Sequence, residues 1–229
     1  SLGVPPASVQ SPDNRNNQNL SALLRVDYVV SNSHTLTLRG DWRGTAQDPA
    51  RLGATALPQT GGELKTGGGG VMATMTSHFG ATMINALQTY VQSSHNDGSS
   101  FTPAPAGRVQ VASNLPDGSI GITTLAFGGN SNLPSAQRSR SFSGSDELSW
   151  IPGTGAHRLK IGGNFDIEQA HNVSAANQLG AFTYNSLADL ENNLPALYRR
   201  TVTVSDRQSL NRRWGLYVGD VWFVKRPIQ

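Results

Sequence analysis

The chain carries five histidines, His34, His78, His95, His157 and His171, the residue type most used at acid–base and metal sites. None falls in an HExxH pair or another metal-ligand spacing. His34 and His157 sit beside short turns. His95 and His171 fall in long connections, where they could meet a substrate or a metal, although a solvated histidine is the simpler reading. Residues 66–74, TGGGGVMAT, invite comparison with a phosphate-binding loop. Such a loop needs Lys and then Ser/Thr after its glycines, followed by a helix. Here the glycines run into a strand-like segment, so a flexible loop is expected. The acidic stretch SGSDE at 143–147 has no nearby base to activate a serine, and no GxSxG occurs. Neither an enzyme nor a cofactor is expected.

A second group of residues is more informative. Arg25, Asp27, Arg39, Asp41, Arg43, Arg158, Lys160, Asp166 and Glu168 occupy alternate positions of segments whose other positions are apolar or small. In residues 158–168 the set Leu159, Ile161, Gly163, Phe165 and Ile167 is apolar or small, and its partner set is charged or polar. A period of two places the sets on opposite faces of one strand. The apolar face could pack on a protein core or meet lipid.

Seven such segments position these charges: 20–30, 35–43, 71–79, 83–92, 140–150, 157–168 and 210–224. Leu87, Thr89 and Val91 are expected on the apolar face, while the facing of 83–92 as a whole and of 210–224 stays open. The connections run short, long, short, long, short, long. Antiparallel strands put every second connection at the same end, so one end carries tight turns and the other large loops. Large irregular loops are uncommon in compact soluble domains, whereas outer-membrane barrels combine short periplasmic turns with long extracellular loops. Inside the loops, GRVQVAS and SIGITTLAF flank Pro116-Asp117-Gly118, a turn signature for a loop hairpin. GAFTYNS reads as a short strand, and Ser186 as the cap of a brief helix near 186–193. Trp42, Tyr28, Phe79, Trp150 and Trp222 lie near strand ends, where interfacial aromatic girdles belong.

Composition agrees. Of 229 residues, 37% are hydrophobic and 14% charged, with a net charge of +3 and no cysteine. The charged share is below the roughly 25% of soluble domains. No basic cluster alternates with aromatics, so nucleic acid is not an expected partner. The missing cysteines exclude thiolate metal sites and disulfides. No apolar run reaches the length of a transmembrane helix, which leaves strand spans open. Residues 1–19 read as an irregular lead-in, and both ends look cut from a longer chain.

Several motifs carry a resemblance. DELSWIPGTGAHRLKIGGNFDIEQ resembles the mid-barrel hairpin of TonB-dependent outer-membrane receptors, in particular those with an N-terminal carboxypeptidase-regulatory-like domain. GAFTYNSLADLENNLPALYRR resembles an extracellular-loop element of that family. WGLYVGDVW resembles its aromatic strand Tyr-Val-Gln-Asp-x-Trp, with Gly219 in place of the usual Gln. RVDYVVSNSHTLTLRGDW also fits its barrel hairpins. The resemblance implies an all-β, antiparallel up-and-down transmembrane β-barrel, of which residues 20–229 supply about seven strands of the roughly 22 that surround a plug.

It further implies a Gram-negative cell outer membrane, lipid on the apolar face, and partnership with a plug and through it with TonB. The function implied is import of a nutrient: a metal chelate, saccharide or peptide. No plug or TonB box is recognisable here. Arg25, Asp27, Arg39, Asp41, Arg158, Lys160, Asp166 and Glu168 would then face the lumen, and Phe101, Phe127, Phe182, Tyr184 and Tyr198 are candidate ligand contacts in the extracellular loops. The alternative is a soluble or surface-exposed β-sandwich adhesin or binding module, whose apolar faces would meet one another.

Overall fold

The computed structural model describes residues 16–153 and 155–223. Its main body is one seven-stranded antiparallel sheet formed by β1 (Asn16–Ser31), β2 (His34–Ala50), β3 (Gly62–Phe79), β4 (Met83–Ser100), β7 (Ser135–Trp150), β8 (His157–Ser174) and β11 (Ser205–Trp222), paired in chain order. The remaining strands, β5 (Ala106–Asn114), β6 (Ile120–Gly128), β9 (Ala181–Tyr184) and β10 (Leu197–Arg199), form a second, four-stranded sheet within the long connections. There β5 pairs with β9 in parallel, across a large sequence separation. The short helix α1 (Leu187–Glu191) starts where Ser186 accepts the Asp189 amide at 3.1 Å, the N-cap geometry its sequence announces. No helix among the described residues is long and apolar enough to cross a membrane, which says nothing of strands.

The expected seven strands are all present and extend further than the alternation alone suggests, though Val224, the last residue of the seventh segment, lies outside the described ones. β1 begins at Asn16, inside the segment read as irregular, while residues 1–15 lie outside the described ones. The glycine run Gly67–Gly70 is strand, not flexible loop: it sits in the middle of β3 and pairs on both sides. Its glycines are forced by neighbours. A Cβ on Gly70 would lie 2.7 Å from the Tyr90 ring, and one on Gly67 would lie 2.5 Å from the His95 ring. His95 and His171, expected in loops, are likewise in strands β4 and β8.

Register defines the two faces, because directly opposed residues share a side. One row runs Val26, Leu38, Ala73, Thr89, Gly144, Phe165, Trp214. The next, towards the short turns, runs Tyr28, Leu36, Met75, Leu87, Asp146, Gly163, Leu216. Leu87, Thr89 and Val91 do share this apolar face, and the facing of β11 is settled by Trp214, Leu216 and Val218.

No second sheet covers that face. Trp214 remains 79% exposed and Leu216 82%. A β-sandwich would bury such residues, so the sandwich alternative does not describe this chain. The buried core lies instead at the loop end, around Ala50, Leu133, Val109 and Tyr184.

Candidate functional site: the polar face of the large sheet

The register puts Arg25, Asp27, Arg39, Asp41, Arg158, Lys160, Asp166 and Glu168 on one face, opposite the apolar rows. Arg43 lies there too, opposite Ser21 and Gly68. The face is organised by local hydrogen bonding. Asp27 accepts from the Arg25 Nε at 2.9 Å and from the Thr37 hydroxyl at 2.6 Å. Arg213 donates to Asp166 at 2.7 Å and stands 3.9 Å from Glu168.

Glu147 is the hub of a three-strand cluster. It accepts from the Lys160 ammonium at 2.7 Å and from the Tyr217 hydroxyl at 2.6 Å. Gly162 makes this possible. It pairs with Glu147 on one side and with Tyr217 on the other. A Cβ there would lie 2.5 Å from the Tyr217 Cζ. The tyrosine thus lies flat across the glycine to reach the carboxylate. The same device recurs where Tyr90 crosses Gly70 towards Asp41, with Tyr90 Oη 3.4 Å from Asp41 Oδ1. Glycine supplies the gap, and the aromatic ring supplies the packing the glycine lacks.

Arg39, Arg43 and Arg158 make no hydrogen bond or ion pair with another described residue, and the Arg158 Nε is buried without a partner. Unpaired guanidinium groups among paired charges give this face surplus capacity to bind carboxylate, phosphate or backbone carbonyl groups. Among the described residues no group of His, Asp and Glu could hold a metal ion.

The five loop aromatics are placed differently from one another. Phe182 and Tyr198 pack together at 4.6 Å between centroids, and Phe127 packs with Tyr184 at 6.3 Å. Tyr184 is only 6% exposed and belongs to the loop core, whereas Phe101 and Tyr198 keep open surface. Glu147, Tyr217, Arg213 and Tyr90 were missed from sequence. Glu147 hides among serines on β7, and the three others depend on register across strands.

Asp146 was missed as well: it sits on the apolar face, where the Asn85 Nδ2 donates to it at 2.6 Å. The alternation Phe142, Gly144, Asp146, Leu148, Trp150 on β7 does contain that signal.

A sequence profile described as "Outer membrane beta barrel domain" matches residues 3–228. Among curated protein sequences none matches the chain. Among solved structures, the outer membrane transporter YddB from Escherichia coli is similar, with a TM-score of 0.56 and 14% identity. The match covers 91% of this chain and 26% of that transporter, so the chain spans about a quarter of its length.

Proposed function

Because the chain belongs to the outer membrane beta barrel domain family, we propose that its polar face lines the lumen of a TonB-dependent receptor that binds and imports a nutrient. The localisation is the outer membrane, and the apolar face meets its lipid. One observation carries the reading. A single antiparallel sheet separates a charged, hydrogen-bonded face from an uncovered apolar one, with tight turns at one end and folded loops at the other. By that asymmetry the turn end is periplasmic and the loop end extracellular.

In this reading the chain supplies one wall of a larger barrel, and a plug carried elsewhere in the same protein contacts Arg39, Arg43 and Arg158. The substrate is a metal chelate, saccharide or peptide that the loops meet first, at Phe101 and Tyr198. Import then proceeds by plug rearrangement, without bond-making chemistry. The resemblance of the barrel hairpin at 146–169 and the loop element at 180–200 to TonB-dependent receptors supports the energy coupling.

The test uses the full protein in detergent or nanodiscs. There it should retain the purified periplasmic domain of TonB, and in its outer membrane in cells it should support growth on at least one of a panel of ferric chelates, oligosaccharides and peptides. A barrel that neither binds TonB nor loses uptake when TonB is deleted is not a receptor of this type.

A further inference from the structure

The positive charges of the apolar face have an uneven distribution. Among the described residues of the large sheet, the only Lys and Arg on that face are Lys65, Arg138, Arg140 and Arg212, and all lie at the loop end. Lys65 is paired with Glu63 at 2.7 Å. Arg138, Arg140 and Arg212 are exposed and make no hydrogen bond or ion pair with a described residue.

Their height follows from the apolar rows. On β7 the apolar run extends from Trp150 to Phe142, on β8 from Leu159 to Ile167, and on β11 from Trp222 to Trp214. Each is roughly nine residues, or roughly 21 Å along the membrane normal at a tilt of about 45°, close to the apolar thickness of an outer-membrane barrel. Asp146 interrupts the run on β7, where Asn85 partners it, and Asp220 interrupts that on β11, where His157 does.

Arg140 and Arg212 are each two residues beyond the loop-side end of that run, so they stand at one level, where apolar chains give way to headgroups. Arg140 is opposite Gln169, which is opposite Leu210. That places the Arg140 and Arg212 Cα atoms roughly 12 Å apart. Arg138 lies one position further out, between His95 and His171. Of the neighbouring carboxylates, Asp206 is held by His171 at 2.7 Å, and Asp97 lies beyond Arg138 beside Ala136. The opposite boundary is built differently: His157 stacks on Trp222 and is bonded to Asp220, and among the described residues no Arg or Lys of the large sheet lies on the apolar face there.

We propose that Arg138, Arg140 and Arg212 form an outward-facing site for the phosphate groups of a phosphorylated lipid in the leaflet at the loop end. Guanidinium groups at headgroup depth pair with phosphate in bidentate fashion. The apolar surface directly beneath, formed by Phe142, Ile167 and Trp214, takes the acyl chains. A second copy of this chain does not supply the counter-charge. A twofold axis along the membrane normal keeps depths equal, and would bring arginine against arginine. The proposal rests on the membrane orientation given above.

The test is native mass spectrometry of the full protein in detergent. The probe is a bis-phosphorylated, acylated diglucosamine lipid, compared with the same lipid after phosphatase treatment. Wild type should retain the phosphorylated form, and the triple variant R138Q/R140Q/R212Q about tenfold less of it. R108Q, which removes one arginine from the loop sheet, should retain it as wild type does. Millimolar inorganic phosphate should not displace it. Equal retention by wild type and triple variant, or of both lipids, overturns the site while leaving the barrel intact. Displacement by inorganic phosphate overturns the lipid as its ligand. A full protein that stays monodisperse without detergent overturns the membrane orientation itself.

Discussion

At the residue scale, the polar face depends on glycines that receive aromatic rings. Gly162→Ala places a methyl against the Tyr217 ring and 2.8 Å from the Asp146 carbonyl. It should lower stability by about 1–3 kcal/mol, the usual cost of overpacking. Gly219→Ala, with nothing within 4 Å of its Cβ position, should stay within about 0.5 kcal/mol of wild type. Urea titration of the full protein folded into vesicles reads both, and equal losses would show that the Tyr217–Gly162 contact is not formed.

Asp146 tests the other face. A carboxylate in the lipid-facing band is unfavourable, so Asp146→Leu should raise stability by about 1 kcal/mol despite losing the Asn85 bond. A lumen-facing Asp146 would give no gain.

At the element scale, β7, β8 and β11 each present strictly alternating environments. Single cysteines at Leu159, Ile161 and Phe165 carrying a fluorophore should be quenched by lipid-borne quenchers. The same label at Lys160 or Asp166 should respond to soluble quenchers only. Equal response of both sets would reject the assignment of faces.

The β5–β6 hairpin makes a separate prediction. Asp117 accepts from the Ser119 amide at 3.0 Å and from its hydroxyl at 2.7 Å. The side-chain hydrogen bond, then the backbone one, hold its carboxyl below the ordinary 3.8. A lowered acid pKa contributes stability above the unfolded value and loses it as pH falls through the folded value. Protection factors of the hairpin amides, corrected for intrinsic exchange, should therefore be flat above about pH 5 and fall only below about 3.8. Asp117→Ala should abolish that acid dependence. Gly118, at φ +83°, completes the turn in a conformation other residues rarely adopt.

At the scale of the whole molecule, β1 and β11 each pair on one side only among the described residues. Exposed strand edges invite further pairing. In the proposed receptor the remaining strands close the barrel. Residues 1–229 expressed alone should accordingly form heat-labile aggregates in detergent, while the full protein should run as a compact, heat-modifiable band in gel electrophoresis. A compact monomer from the 229 residues alone would mean that the two edges close on each other.

The large sheet was legible in the sequence because each membrane-type strand meets two unlike environments, and a period of two records both. That pattern determined the seven strands and the short-turn and long-loop ends, while turn and capping residue types announced the loop hairpin at Pro116-Asp117-Gly118 and the Ser186 cap. It also grouped the eight charges from Arg25 to Glu168, since residues two apart share a face whatever the strand pairs with.

It could not show that Gly67–Gly70 are strand. Glycine carries no face of its own, and only Trp42, Tyr90 and His95 on adjacent strands reveal why side chains are excluded there. Nor could it join Glu147 to Lys160 and Tyr217, or set Arg140 level with Arg212. These contacts link residues far apart in the chain, and cross-strand register, which only the tertiary structure fixes, decides which of them meet.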